Sequence, residues 1–121
     1  MNIKKTIVIG ASPKPERYAY KAVTLLNRNN ISVVALGIRN GTINGIEIVK
    51  DKLPFEDIHT VSLYVGAKRQ TEYYEYIINL KPKRIIFNPG TENSELIKLA
   101  QENNIENIED CTLVLLNSGR F

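Results

Sequence analysis

Short apolar runs alternate along this chain with longer stretches that have a helical period. The first two runs, Thr6 to Ile9 and Ile31 to Leu36, are continuous and rich in β-branched residues. Such runs are typical of strands buried on both faces of a parallel sheet. Between them, apolar residues recur every three to four positions from about Tyr18 to Asn29. The pattern predicts a strand, a helix and a second strand, in that order.

The same alternation continues toward the end of the chain. Three further runs predict strands at Thr60 to Val65, Arg84 to Phe87 and Glu106 to Glu109. Two amphipathic stretches predict helices at Gln70 to Leu80 and from Asn93, a good N-cap, to about residue 103. Strands that alternate with helices over short connections indicate parallel pairing. We therefore predict an α/β fold: a single Rossmann-like domain over residues 1–121, with a five-stranded parallel sheet and helices on both faces.

Two segments are less regular. Asn44-Gly45 is typical of a tight turn, so Gly41 to Val49 is expected to form a small excursion or a short ribbon. Pro54 to Ile58 is expected to form one helical turn with proline at its start, and no full-length helix is predicted there. The tail from Cys111 fits a sixth strand or a short helix. Asp110 as N-cap and Gly119 beyond the end favour a helix from Cys111 to Asn117.

Composition and charge exclude several classes of partner. Apolar residues make up 43% of the chain and charged residues 24%, as in soluble proteins, and no apolar run approaches the roughly 20 residues that span a bilayer. Met1 to Lys5 leads directly into the first strand without a signal-peptide pattern. We therefore expect a cytoplasmic protein without a membrane partner. The net charge of +3 comes from scattered cations interleaved with acids, so we expect no nucleic-acid partner.

Ligands of open parallel sheets bind outside the carboxyl ends of the strands. Turns with small residues follow four of the predicted strands here. The candidate binding residues at these ends are Gly10, Ala11, Ser12, Lys14, Arg17, Gly37, Ile38, Arg39, Tyr64, Val65, Asn88, Pro89 and Gly90.

The loop from Gly10 to Arg17 carries the strongest binding signal among these ends. Gly10 allows a tight turn and a close approach of a ligand to the backbone. The following helix presents free N–H groups and the positive end of its dipole, and Lys14 and Arg17 add two cations. The loop therefore fits a phosphate or a diphosphate. An ordinary strand-to-helix turn with a solvated lysine and arginine is the alternative.

The end of the second strand discriminates between nucleotide ligands. An NAD site requires an acid there to bind the ribose diol, whereas this chain has Arg39 and no acid before Glu47. Arginine favours a phosphorylated ribose through a charge-assisted contact, which NADP and coenzyme A both offer. A solvated arginine is the alternative.

Four segments carry a more specific resemblance: Thr6 to Arg17, the Asn44-Gly45 turn, Asn88 to Asn93, and Glu109-Asp110-Cys111. They resemble the small stand-alone CoA-binding proteins, which are similar to the CoA-binding domain of the succinyl-CoA synthetase α subunit. The resemblance covers nearly the whole chain. It implies a small-molecule ligand, coenzyme A or an acyl-CoA, lying across the first loop with its diphosphate at Gly10 to Arg17. It also implies that the domain has no catalytic machinery of its own.

No catalytic constellation is visible, so we expect a binding protein rather than an enzyme. Ser12 lacks both a partner base and a G-x-S-x-G context, and is expected to bind phosphate or to cap the loop. His59 is expected at the surface, at the end of the sheet opposite the ligand, and Cys111 is expected to be a buried, inert thiol. One cysteine and one histidine are too few for a structural zinc site. The alternative functions are an NADP-binding reductase-like protein and an interaction protein with a vestigial nucleotide cleft.

Overall fold

A seven-stranded sheet forms the centre of the molecule in the computed structural model, which describes residues 4–121. Its strands are β1 (Thr6–Ile9), β2 (Val33–Leu36), β3 (Thr42–Ile43), β4 (Ile46–Val49), β5 (Thr60–Leu63), β6 (Arg84–Phe87) and β7 (Glu106–Glu109). They lie in the order β3-β4-β2-β1-β5-β6-β7. Every neighbouring pair is parallel except β3 and β4, which are antiparallel.

Short helices cover both faces of this sheet within the described residues. They are α1 (Tyr18–Arg28), α2 (Ala67–Gln70), α3 (Tyr74–Leu80), α4 (Ser94–Glu102) and α5 (Thr112–Asn117), with a 3-10 turn at Thr71–Tyr73 between α2 and α3. α1 and α5 contact each other, and the buried face of α1 packs with Val8 and Ala35 in one core cluster. Ile77 of α3 and Leu96 of α4 pack with Ile7 and Ile9 in the other. None of these helices is long and apolar enough to cross a membrane.

The α/β class and the Rossmann-like layout are confirmed, but the prediction of five strands is wrong. All five predicted strands form, and the Asn44-Gly45 turn adds two more. Asn44 and Gly45 both have positive φ, 48° and 87°, as a type I′ hairpin turn requires. The turn joins β3 to β4, and β4 then pairs in parallel with β2. The predicted ribbon therefore extends the main sheet.

The predicted helical turn from Pro54 to Ile58 does not form, and the connection is irregular. Asp57 has a φ of +61°, which interrupts helical geometry. Ile58 is buried in the core, and Phe55 packs against it. The Tyr76 hydroxyl donates to the Leu53 carbonyl at 2.6 Å. Packing of this segment across α3 therefore replaces local helix formation.

The predicted helix at Gln70 to Leu80 begins earlier and is divided. Its first turn, α2, is fixed by Gln70, whose buried amide donates to the carbonyls of Val65 and Thr91 at 2.8 and 2.7 Å. These contacts hold α2 against the ends of the strands, and the 3-10 turn redirects the chain into α3.

The tail is helical, as predicted, over α5 rather than forming a sixth strand. Its N-cap is Cys111 and not Asp110, because the Asp110 carboxylate accepts from the Cys111 N–H at 2.7 Å, outside the helix. Gly119 follows the helix with a φ of +73°. A residue in this left-handed conformation ends a helix, as we predicted from the glycine.

Candidate ligand-binding cleft

A cleft of about 370 Å³ opens at the carboxyl edge of the sheet, where β1, β2 and β5 end. This volume lies within the range of small-molecule sites. The chain leaves β1 toward β2 on one side and returns to β5 on the other, so the cleft lies at the switch point of the sheet. Its lining residues are Gly10, Ala11, Ser12, Lys14, Arg17, Tyr18, Ala19, Gly37, Ile38, Arg39, Tyr64, Val65, Arg69 and Tyr73.

The cleft brings together the predicted residues from the first three strand ends, Gly10 to Arg17, Gly37 to Arg39, and Tyr64-Val65. It also includes residues that sequence reasoning missed, notably Arg69 and Tyr73. Arg69 lies only six residues beyond the end of β5. The predicted helix began at Gln70, which left this cation in an unassigned turn. Placing the helix start at Ala67 would have brought Arg69 to the cleft.

The backbone of the first loop is tightly positioned by its neighbours. The N–H groups of Gly10 and Ala11 both donate to the Leu36 carbonyl at 2.9 Å. Gly10 has a φ of +101°, and a Cβ there would lie 2.9 Å from the carbonyl carbon and oxygen of Tyr64. Glycine is therefore required by both conformation and space. The first two N–H groups of the loop bind β2 and are not available to an anion.

The N–H groups that remain for an anion belong to the start of α1. The first backbone hydrogen bond of the helix runs from Lys21 N–H to the Arg17 carbonyl at 3.2 Å. Tyr18 and Ala19 precede that bond, and both line the cleft, so their N–H groups lie beside it without an intrahelical partner. The helix dipole adds positive potential at the same place.

Ser12 caps its own loop, which was one of its two predicted roles. Its Oγ accepts a hydrogen bond from the Lys14 N–H at 3.2 Å. The hydroxyl proton is still available, because a serine hydroxyl donates as well as accepts. Phosphate binding by Ser12 stays a prediction.

Four cations line the cleft, Lys14, Arg17, Arg39 and Arg69, and no carboxylate does. All four side chains are exposed. Within residues 4–121 the ion pair at 3.9 Å joins Arg120 and Asp110, so none of the cleft cations is neutralised by one. A concave surface lined by charges of one sign concentrates oppositely charged ligands. The charge of the cleft is therefore complementary to an anion that carries several charges.

Exposed apolar surface flanks these cations. Tyr18 is 67% exposed and Ile38 is 62% exposed, and both line the cleft. Aromatic and aliphatic side chains of this kind contact the face of a planar ring. The cleft thus combines anion-binding groups with surface that suits a base.

The fourth group of predicted residues, Asn88, Pro89 and Gly90, does not line the cleft. Asn88 is 1% exposed. Its Nδ2 donates to the Ser62 hydroxyl at 2.9 Å and to the Leu63 carbonyl at 2.8 Å, and its Oδ1 accepts from the Thr112 N–H at 2.8 Å. The side chain therefore joins β5, β6 and the start of α5. A ligand contact by this segment stays a prediction.

Replacement of Asn88 with alanine is expected to lower the free energy of unfolding by about 2–3 kcal/mol, because it leaves a buried N–H and a buried carbonyl without partners. Urea denaturation measures the change. Asn103→Ala is the matched control, because Asn103 is exposed and its amide makes only a local bond to the Leu99 carbonyl. Equal midpoints for the two variants would contradict a structural role for Asn88.

Two of the cleft tyrosines, Tyr64 and Tyr73, are held neutral by burial. Burial raises the pKa of Tyr64 far above its usual range, and the nearby Cys111 adds to the rise. Its hydroxyl is buried without a hydrogen bond of normal geometry among the described residues, although Thr112 lies close enough to offset part of the shift. Burial and Glu72 raise the pKa of Tyr73. Neither phenol is therefore poised to act as a base near neutral pH.

The remaining residues considered for chemistry lie outside the cleft. Cys111 is half-buried and not buried as predicted, because it stands at the N-cap of α5. His59 precedes β5, at the edge of the sheet opposite the cleft, as predicted. It is half-buried rather than fully at the surface.

These features define a Rossmann-like α/β protein with a basic cleft at the switch point of its sheet. The chain belongs to the CoA-binding domain family, whose model matches residues 4–117. This membership confirms the resemblance drawn from the sequence.

Solved structures share the whole fold. The crystal structure of an uncharacterised protein is 42% identical, has a TM-score of 0.97, and is matched over 100% of both chains. A hypothetical protein from Pyrococcus horikoshii OT3 is 28% identical, with a TM-score of 0.86 over 95% of this chain and 82% of that one. A protein from Thermus thermophilus, 21% identical with a TM-score of 0.80 over 100% of both chains, shows the fold alone. A comparison with curated proteins finds no match.

Proposed function

We propose that this protein binds coenzyme A or an acyl-CoA in the cleft at the carboxyl edge of its sheet, and that it does not itself catalyse a reaction on the ligand. The observation that carries the proposal is the group of four cations in one cleft without a carboxylate. Coenzyme A carries a diphosphate and a 3′-phosphate, so its charge complements that group. Membership of the CoA-binding domain family supports this ligand.

The diphosphate is assigned to the loop from Gly10 to Arg17. The free N–H groups of Tyr18 and Ala19 lie there together with the side chains of Lys14 and Arg17. Backbone N–H groups at a helix start and charge-assisted side-chain bonds are the usual ligands of phosphate oxygens.

The nucleoside end of the ligand is assigned to the end of β2. Arg39 lies there as the cation for the 3′-phosphate, and Ile38 and Tyr18 offer apolar surface to the base. An acid in place of Arg39 would suit the free ribose diol of NAD instead.

The proposal that the protein does not catalyse a reaction is supported by the kinds of titratable residue in the cleft. The titratable residues that line it are the four cations and three tyrosines, Tyr18, Tyr64 and Tyr73. Burial raises the pKa of Tyr64 and of Tyr73, and the lining includes no imidazole or carboxylate to accept a proton near neutral pH. Ser12 has no imidazole or carboxylate beside it among the lining residues. Both observations favour binding over acid–base or nucleophilic chemistry.

Calorimetric titration with CoA, dephospho-CoA, NADP and NAD tests the ligand. We expect CoA to bind and NAD to show no measurable binding, because Arg39 stands where a ribose diol requires an acid. Dephospho-CoA is expected to bind roughly tenfold more weakly than CoA, the equivalent of about 1.4 kcal/mol for the lost phosphate contact. Equal binding of NAD and CoA would contradict the proposal, and tighter binding of NADP than of CoA would favour the reductase-like alternative.

The same titrations on Arg39→Gln locate the 3′-phosphate. The variant is expected to weaken CoA roughly tenfold and to leave dephospho-CoA unchanged, because only CoA carries the group that Arg39 binds. Lys50→Gln is the control, since Lys50 is exposed and lies outside the cleft. Equal losses for CoA and dephospho-CoA would place the 3′-phosphate elsewhere.

A further inference from the structure

A second cavity, of about 660 Å³, opens at the opposite edge of the sheet, where the strands begin. It is lined by Lys5, Asp57, Ile58, His59, Leu80, Lys81 and Lys83. Three ammonium groups thus face one carboxylate. None of these residues lines the carboxyl-edge cleft, so the function proposed above leaves this cavity unexplained.

The sheet sets the backbone positions of two of the cavity cations, Lys5 and Lys83. Lys5 directly precedes β1, and Lys83 directly precedes β6. The backbone bonds that join them run through His59, whose N–H donates to the Lys5 carbonyl at 2.8 Å and whose carbonyl accepts from the Lys83 N–H at 2.9 Å. Lys81 follows α3 with a φ of +52°. Parallel pairing of β1, β5 and β6 therefore brings Lys5, His59 and Lys83 side by side.

Within the described residues, Asp57 is the one lining carboxylate that offsets the three ammonium groups of this cavity. Among residues 4–121 no carboxylate lies within 4.0 Å of the Lys5, Lys81 or Lys83 ammonium group. The Lys5 ammonium group donates to the Glu56 backbone carbonyl at 3.1 Å. This neutral acceptor satisfies one N–H of the ammonium group but does not offset its charge. Of the cavity cations, Lys83 acts on the His59 imidazole. Burial, and then Arg84, Lys4 and Lys83, lower the pKa of this imidazole, while Glu106 opposes them.

The imidazole has a defined hydrogen-bonding arrangement. His59 Nδ1 lies 2.8 Å from the Thr60 hydroxyl, which accepts from Arg84 Nε at 2.8 Å. A Thr60 hydroxyl that donates to Nδ1 leaves the neutral ring with its proton on Nε2, and the imidazolium form donates from both nitrogens. His59 lines the cavity together with the lysines, so its ring offers a further donor there.

Apolar surface completes the lining. Leu80 is half-buried and offers apolar surface to a ligand, whereas Ile58 is 3% exposed and forms the apolar floor beneath it. Inorganic anions would use only the lysine part of such a cavity. A ligand with an acidic group and an apolar group would use both parts.

We propose that this cavity is a second binding site, for an organic anion whose acidic group is bound by Lys5, Lys81, Lys83 and His59 and whose apolar part contacts Ile58 and Leu80. The site is independent of the carboxyl-edge cleft, because the two lie at opposite ends of the strands.

The chain has one histidine, so the imidazole signals in a proton NMR titration report on this cavity alone. The probe is phenyl phosphate, added at constant ionic strength against sodium chloride. We expect a saturable shift of the His59 signals and a higher His59 pKa in the bound state, because a bound anion stabilises the imidazolium form. Inorganic phosphate is expected to saturate at clearly higher concentration. No saturable shift with phenyl phosphate, or equal affinity for inorganic phosphate, would overturn the proposal.

Two variants separate binding from folding. Lys83→Gln and Lys81→Gly each remove one cation of the cavity. Glycine is chosen at residue 81 because it adopts the positive φ of that position more easily than lysine does. We expect each to weaken phenyl phosphate by roughly threefold or more, as the loss of one partly exposed charge contact allows. We expect Lys81→Gly to raise the Tm, so that its weaker binding cannot come from unfolding.

The controls act at a distance from the cavity. Lys98→Gln changes an exposed lysine of α4 outside it and is expected to bind phenyl phosphate as the unmodified protein does. Arg17→Ala is expected to leave the His59 shift unchanged, which makes this test independent of CoA binding. Unchanged affinity in both Lys81→Gly and Lys83→Gln would overturn the assignment of the site.

Discussion

Gly37→Ala is expected to lower the free energy of unfolding by about 3 kcal/mol, near the upper end of typical overpacking costs, and the Tm by roughly 10 °C for a domain of this size. A Cβ on Gly37 would lie 2.2 Å from the Ala11 carbonyl oxygen and 3.1 Å from its carbon. These are backbone atoms, so they cannot rotate aside as the end of a side chain would. Thermal and urea unfolding measure the effect.

The same substitution is expected to weaken CoA more than tenfold. Ala11 is bonded through its N–H to the Leu36 carbonyl, so a shift of β2 away from Ala11 displaces the first loop as well. Gly66→Ala is the matched control, because Gly66 has an ordinary φ of −61° and a Cβ there meets nothing within 4 Å. If Gly37→Ala proved as stable as Gly66→Ala, the close packing of β2 on the first loop would be wrong.

Arg17→Ala is expected to lower the affinity for CoA by a factor of ten or more, because a charge-assisted bond to phosphate contributes roughly 1.5–3 kcal/mol. Arg17 is exposed at the N-cap of α1, and its side chain caps no N–H group of the helix. The Tm is therefore expected to change little. Binding is expected to weaken without vanishing, because the N–H groups of Tyr18 and Ala19 are still present. Calorimetry with CoA measures the loss.

Lys14→Ala is expected to have a smaller effect than Arg17→Ala, since the planar guanidinium can bind phosphate in a bidentate way and an ammonium cannot. Arg28→Ala, at the other end of α1, and Lys50→Ala are the matched controls for the two cations, because both are exposed and lie outside the cleft. If Arg17→Ala bound CoA as tightly as Arg28→Ala, the diphosphate would lie elsewhere and the assignment of the loop would fail.

Much of the fold could be predicted from the sequence because its elements are short and clearly separated. The run Thr6 to Ile9 is buried at all four positions in β1, so its continuous apolar pattern correctly indicated a strand that is buried on both faces. α1 starts at Tyr18, as predicted, and stops one residue before the predicted end. The prediction of a helical tail is confirmed by α5, with Gly119 beyond its end as expected, although the N-cap is Cys111 and not Asp110.

Long-range contacts explain the predictions that were wrong. Nothing in the pattern of residues 42–49 indicates that β4 joins the main sheet, because its pairing with Ala35 and Leu36 of β2 is a contact between distant segments. Phe55 and Ile58 lie in a local helical context but pack on a core built by other elements. The structural role of Asn88 was not predicted for a similar reason, because its hydrogen bonds to Ser62 and Thr112 depend on how β5 and α5 approach it. A ligand contact by Asn88 stays a prediction.

The sequence by itself determined the class of fold and the edge of the sheet where the predicted binding residues meet. It could do so because buried strands, helical periods and turn residues are local patterns, and because parallel strands bring all their carboxyl ends to one edge. The family resemblance added the nature of the expected ligand. Only the tertiary structure decided which residues share the cleft. Arg69 lines the cleft and Asn88 does not, because the position of a side chain depends on the packing of elements that are distant in the chain.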